Sequence, residues 1–231
     1  MPAYVDRVST PQGPARVTRY PAPDAWVRVL LSHGAGGGIE ACDLVAAAAR
    51  LPAEGVEVLL VEQPWRVGGR RMAPPPDRLD EAVSAVVAQV APAAPFVVGG
   101  RSAGARVACR IGAALGAAGV LALAFPLQPP GRPDRPARTA ELAGCRLPVL
   151  VVQGARDAFG SAGDVRAALA LCGPEQEAGV RIVEVPGADH GFAVRAVDGG
   201  TTVRDARLAA ALREVRTFLG LVAGREPAGN I

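Results

Sequence analysis

The chain has 231 residues, half of them hydrophobic, a net charge of +3 and 28 glycines. That length fits one α/β domain, and the apolar content supplies a layered core. All 25 basic residues are arginine, which reads as base composition rather than function, and with 4% aromatics there is no signature of nucleic-acid binding.

The N-terminus lacks a charged segment followed by an apolar one, so no signal peptide is expected and the chain reads as cytoplasmic. A weak strand is expected at Ala15 to Tyr20 and a clear one at Trp26 to Ser32, then a helix over Glu40 to Arg50 and a strand at Val56 to Val61. A Pro/Arg-rich loop, Pro64 to Arg78, leads to a helix at Leu79 to Val90 and a strand at Phe96 to Gly99. A small-residue helix over Ala103 to Leu115 precedes a strand at Val120 to Ala124 and a second Pro/Arg-rich loop, Leu127 to Arg138. The uncharged stretch Ile111 to Gly131 holds four glycines and several prolines, so it reads as helix end, strand and loop rather than a membrane span. A strand at Val149 to Gln153, a helix at Ala162 to Leu171, a strand at Arg181 to Val185 and a helix at Val203 to Leu221 complete the order, with a frayed tail over 225–231. Continuous apolar strands alternating with helices predict a mostly parallel central sheet covered on both faces. With no repeat and no linker, residues 1–231 read as a single domain. Cys42, Cys109, Cys145 and Cys172 are scattered without a C-x-x-C pair, so they read as small half-buried thiols, and no metal or other cofactor is expected.

The run Phe96-Val97-Val98-Gly99-Gly100-Arg101-Ser102-Ala103-Gly104 carries the chemistry. It is a β-branched strand running into G-x-S-x-G and then a helix. A serine at such a turn is held in a strained conformation with its hydroxyl pushed out of the sheet, and its neighbours two before and two after must be tiny. With five serines and about 12% glycine, chance supplies roughly 0.07 such matches, and the strand and helix flanks reduce that further.

In a parallel sheet the reactive groups gather at the carboxyl ends of the strands. There the sequence places His33-Gly34-Ala35-Gly36-Gly37-Gly38, Gly154-Ala155-Arg156-Asp157 and Gly187-Ala188-Asp189-His190-Gly191. Serine, acid, histidine is the chain order of a hydrolytic triad on this type of sheet. Of the two histidines, only His190 follows Ser102. Asp157 is taken as the acid, Glu62 as its substitute and Asp189 as structural. His33 is expected to brace the glycine loop. The amides near Ala35 and of Ala103 would form the oxyanion hole.

On these residues the chain resembles the small α/β-hydrolases, in the neighbourhood of dienelactone hydrolase. It is most similar to bacterial members of the testis-expressed protein 30-like predicted hydrolases. The points of contact are His33-Gly34-Ala35, Gly99 to Gly104, Phe125-Pro126-Leu127, Gly154 to Asp157 and Asp189-His190, spread over roughly residues 27 to 220. The G-G-R-S-x-G form, with Arg101 before the serine, is the most specific. One departure is Gln128-Pro129-Pro130, where a histidine would precede the prolines. The resemblance implies an α/β-hydrolase fold, the triad Ser102, Asp157 and His190, and no cofactor.

The expectation that follows is hydrolysis of a small-molecule ester or thioester through an acyl-enzyme. The alternatives are an idle binding or scaffold protein on the same fold, or an acyltransferase or perhydrolase using the same triad. No nucleic acid or membrane partner is expected, and the oligomeric state is left open. The stretch Pro126 to Pro148 is too short for a cap domain, so the site should be shallow and open. Arg66, Arg70 and Arg71 form either a solvated basic loop or a guanidinium fork for a substrate anion. Arg101 is expected to tie down neighbouring backbone, with substrate contact as its other possible role.

Overall fold

The computed structural model describes residues 3–90, 95–132 and 134–225. An N-terminal hairpin, β1 (Tyr4–Thr10) and β2 (Gly13–Tyr20), is followed by β3 (Val27–Ser32), α1 (Cys42–Arg50) and β4 (Val56–Glu62). The chain continues through α2 (Pro64–Val67), α3 (Pro76–Val90), β5 (Phe96–Arg101), α4 (Ala103–Ile111), β6 (Gly119–Leu123) and α5 (Thr139–Ala143). It closes with β7 (Val149–Gly154), α6 (Ala162–Ala170), α7 (Pro174–Ala178), β8 (Val180–Val185) and α8 (Gly200–Val222).

Among the described residues the strands form one eight-stranded sheet in the order β1-β2-β4-β3-β5-β6-β7-β8. The six strands from β3 to β8 are mutually parallel, and β2 joins β4 antiparallel. The core lies in two layers because side chains alternate across a strand. Leu30, Val98, Val120 and Ala122 point to the layer under α3, α4, α5 and α6. Leu31, Val97, Leu121 and Leu123 point to the layer under α1 and α8. Burial on both faces is why these strands read as unbroken apolar runs.

Every predicted strand and helix is present within a few residues of its expected bounds. β1 was not foreseen, because it is an edge strand with Tyr4 and Val5 exposed and only Val8 buried, so its pattern is mostly polar. The helix expected from Glu40 starts at Cys42, since Glu40 is occupied in the glycine loop (below). The short helix α2 lies in a segment read as loop, and α5 and α7 lie in stretches assigned no element; each starts at proline or threonine and spans four or five residues, too few for a helical period to show. Of the expected frayed tail, Arg225 is described: its amide donates to the Gly220 carbonyl and its guanidinium lies 5.0 Å from the Trp26 ring centre. The remainder lies outside the described residues. No described helix is long and apolar enough to cross a membrane.

Candidate active site

Parallel pairing puts the carboxyl ends of β3 and β5 to β8 on one edge of the sheet, and the predicted reactive residues all follow those ends. Ser102 links β5 to α4 with φ 52° and ψ −109°, a positive-φ conformation that costs a non-glycine residue on the order of 1–3 kcal/mol. Its amide donates to the Leu123 carbonyl on β6. The small flanks are required by contact. A Cβ on Gly100 or on Gly104 would lie 2.5 Å from the Ser32 carbonyl oxygen, so neither position admits even alanine without displacing β3.

His190 reaches Ser102 across the edge: its Nε2 lies 3.0 Å from Ser102 Oγ and its Nδ1 lies 2.8 Å from Asp157 Oδ2. The Asp157 side chain is fully buried, whereas that of His190 is 22% exposed. This is the geometry in which a serine hydroxyl faces a ring nitrogen whose opposite nitrogen is held by a carboxylate. Asp157 also accepts hydrogen bonds from the Phe159 amide (2.8 Å, Oδ1) and from Gln153 Nε2 (2.9 Å, Oδ2). The Phe159 ring packs on the imidazole with centroids 4.3 Å apart, so the ring is fixed on its face as well as at both nitrogens.

Gln153 was not foreseen as part of the site. It is fully buried on β7, accepts from the Phe125 amide through Oε1, and shares its two Nε2 hydrogens among the Phe125 carbonyl, the Gly160 carbonyl and Asp157. The available signal was an amide closing an otherwise apolar strand four residues before the acid. Asp157 does not cap the next helix. Ser161 and Asp164 form a reciprocal capping box on α6, and their hydrogen bonds hold the Asp164 carboxyl below its ordinary range.

The other carboxylates are placed elsewhere. Glu62 pairs with Arg16 at 3.2 Å between β4 and β2, away from His190. Asp189 folds its own loop, accepting from the amides of Gly191 and Ala193.

The glycine loop after β3 runs against Ser102: a Cβ on Gly34 would lie 3.2 Å from Ser102 Cβ. Ala103 is the first residue of α4, where an amide has no intrahelical acceptor, and Ala35 sits exposed at the loop turn. His33 is buried beneath, with Nδ1 2.8 Å from the Gly34 carbonyl and Nε2 accepting from the Gln63 amide at 3.1 Å. That pairing assigns its proton to Nδ1, and burial pushes its pKa down, so it is a neutral brace. Arg66 supports the same loop indirectly. It pairs at 3.3 Å with Glu40, whose carboxylate accepts from the Gly38 amide.

Arg101 donates to the His190 carbonyl at 2.6 Å and to Asp43 at 3.1 Å, and its guanidinium lies 6.0 Å from the Phe192 ring centre. It therefore joins β5, α1 and the His190 loop. Asp43, unforeseen from sequence, is 3% exposed, and its second carboxylate oxygen has no partner among the described residues. A cavity of about 290 Å³ opens over the site, with Gly34, Gly36, Cys42, Arg101, Ser102 and His190 in its wall. Arg66, Arg70 and Arg71 are not among its lining residues. Among the described residues no cluster of three or more His, Cys, Asp or Glu could hold a metal.

Several solved structures share this architecture. An α/β serine hydrolase without a lid from Xanthomonas campestris is 24% identical, covers 95% of this chain and 97% of its own, and superposes with a TM-score of 0.67. An alpha-beta serine hydrolase homologue from Coxiella burnetii is 20% identical over 93% and 96% of the two chains, with a TM-score of 0.69. Esterase 2 of Thermogutta terrifontis is 14% identical over 97% and 96%, with a TM-score of 0.70. At these identities the likeness is one of fold, and the fold is the minimal one without a cap. No curated protein matches the chain. The family model described as alpha/beta hydrolase domain matches residues 25–220, most of the sequence, so the chain belongs to the alpha/beta hydrolase domain family.

Proposed function

We propose that the protein is a serine hydrolase that cleaves small-molecule esters or thioesters. The observation that carries this is the continuous Ser102–His190–Asp157 hydrogen-bond chain, at 3.0 and 2.8 Å, with the serine held at positive φ. In this reading Ser102 Oγ attacks the acyl carbon while His190 Nε2 takes its proton. Asp157 holds Nδ1–H and the imidazolium that forms. The amides of Ala103 and of the loop at Ala35 receive the developing oxyanion. The alcohol or thiol leaves with the proton from His190, and a water activated by the same nitrogen releases the acid from the acyl-serine. An open cavity of about 290 Å³ suits compact acyl groups.

The test is labelling with a fluorophosphonate and turnover of short-chain esters and thioesters. The reading requires a single adduct on Ser102 and loss of about a million-fold in kcat in Ser102→Ala. An adduct on another serine, or unchanged turnover in that variant, refutes it. Absence of both label and turnover favours an idle binding protein, and transfer to an added alcohol or peroxide in preference to water favours an acyltransferase or perhydrolase.

A further inference from the structure

The loop that follows β6 runs beside the triad and carries arginines that the chemistry above does not use. Arg106, Pro129, Arg132, Arg135, Pro136 and Arg138 enclose a cavity of about 420 Å³. Four of its described lining residues carry a guanidinium, and the described carboxylates that answer them are fewer. Glu141 binds Arg106 through two bonds of 2.6 Å and also takes Arg110, while Asp134 lies 3.3 Å from Arg132. Among the described residues neither Arg135 nor Arg138 has a carboxylate partner. Arg138 donates to the Pro126 carbonyl at 2.8 Å, and burial together with the charge of Arg106 pushes its pKa down, against a smaller opposing pull from the Glu141 carboxylate. A partly buried guanidinium facing like charge gains from an anion. Prolines at Pro129 and Pro136 stiffen the rim and limit the ordering needed to bind one.

The cavity also lies on the Asp157 side of the site. An adjoining cavity of about 370 Å³ shares Pro129 and Arg132 with it and reaches Asp157 and Phe159, whose ring packs on His190. Arg106 stands one helical turn after Ser102, its amide bonded to the Ser102 carbonyl. One turn rises about 5.4 Å, and an extended arginine adds roughly 6 Å. An anion in the arginine cavity would therefore lie on the order of 10 Å from the hydroxyl. In the first basic loop Arg66 is paired with Glu40, and Arg70 and Arg78 line a different cavity, of about 530 Å³, with Gln12 and Trp65.

We propose that Arg106, Arg132, Arg135 and Arg138 form a phosphate-binding subsite that takes the far end of the substrate's leaving group. The substrate class is an ester or thioester whose alcohol or thiol ends in a phosphate roughly eight atoms from the acyl oxygen or sulfur. A phosphate is preferred to a carboxylate because its three terminal oxygens can accept from several guanidinium forks at once. The proposal rests on the hydrolase reading, and its test separates the two.

Two esters with the same short acyl group are compared, one leaving an alcohol that ends in phosphate and one leaving the matched diol, in wild type and in Arg135→Gln/Arg138→Gln. Those two arginines are chosen because their removal breaks no ion pair. Binding of inorganic pyrophosphate is followed by calorimetry in Ser102→Ala, with and without the two arginine changes. The expected results are at least a tenfold preference in kcat/KM for the phosphate ester at low salt and parity in the double variant, with the neutral ester altered less than twofold. Pyrophosphate binding should be lost with the arginines. Equal turnover of both esters by wild type, or a preference that survives in the double variant, overturns the subsite and leaves the hydrolase. Arginine-dependent pyrophosphate binding with no turnover of either ester overturns the hydrolase and keeps only the anion site.

Discussion

Replacing Gln153 with leucine tests how the acid is held. The two side chains are similar in volume, so the change removes hydrogen bonds without opening a large cavity. Four contacts are lost, at 2.8, 3.1, 2.9 and 2.6 Å. The Phe125 carbonyl keeps a second donor, the Leu127 amide, so the groups left without their partner are the buried Phe125 amide and the partly buried Gly160 carbonyl. Each costs about 1–3 kcal/mol when buried without a partner, and loss of a bond to an ionised carboxylate costs about 1.5–3 kcal/mol. Because these losses overlap, Gln153→Leu should destabilise the fold by about 3–5 kcal/mol, seen as a lower urea midpoint at unchanged m. For a chain of this length the Tm falls roughly 2–4 °C per kcal/mol, so a drop of about 6–20 °C is expected. Asp157 keeps the Phe159 amide and His190, so KM should stay within about twofold while kcat falls about tenfold, equivalent to roughly 1.4 kcal/mol. Gln153→Glu sharpens the test. It retains an acceptor for the Phe125 amide but sets a second carboxylate against Asp157, and its penalty should shrink in acid, where one of the pair takes a proton. A Gln153→Leu protein within about 1 kcal/mol of wild type would show that the network is ornamental and the reasoning wrong.

Asp157→Asn should keep the site's shape yet lose about ten-thousand-fold in kcat through the wrong histidine tautomer, whereas Glu62→Gln should change kcat less than about twofold; a steady-state comparison in which the two effects are reversed would move the acid to β4. Arg101→Met leaves Asp43 charged and buried, so it should cost about 3–5 kcal/mol in urea unfolding, and adding Asp43→Asn should return a large part of that. No recovery in the double variant would mean that Arg101 acts through the His190 carbonyl alone. Burial depresses the pKa of His33 below its ordinary value near 6.5. The folded state therefore holds the neutral ring, and the stability it contributes is present above that value and lost as the pH falls towards the folded pKa. The slope cannot exceed about 1.4 kcal/mol per pH unit for one proton. His33→Gln should flatten that slope between pH 6.5 and 5 in thermal melts, and an unchanged slope assigns it to other groups.

The chain order of unbroken apolar runs and small-residue helices was enough to specify a parallel sheet with two covered faces, because burial on both sides of a strand removes the polar alternation that an exposed face would show. It also singled out Ser102, Asp157 and His190 as residues that would lie side by side, as they do, because each follows a strand end and a parallel sheet collects those ends on one edge. Gly100 and Gly104 were legible for a local reason, since the turn around the serine has no room for a Cβ. What sequence did not determine depends on pairing between segments far apart in the chain. The edge strand β1 exists because β2 offers it a free ladder, which its own polar sequence does not announce. Whether Arg101 would meet substrate or backbone was decided by the return of the His190 loop, 89 residues later, to within 2.6 Å of it. The pairing of individual loop arginines was settled the same way. Glu40 sits where it neutralises Arg66, while Arg135 and Arg138 find no carboxylate among the described residues, and charge patterns along a chain carry no information on which opposite charge the fold will bring near.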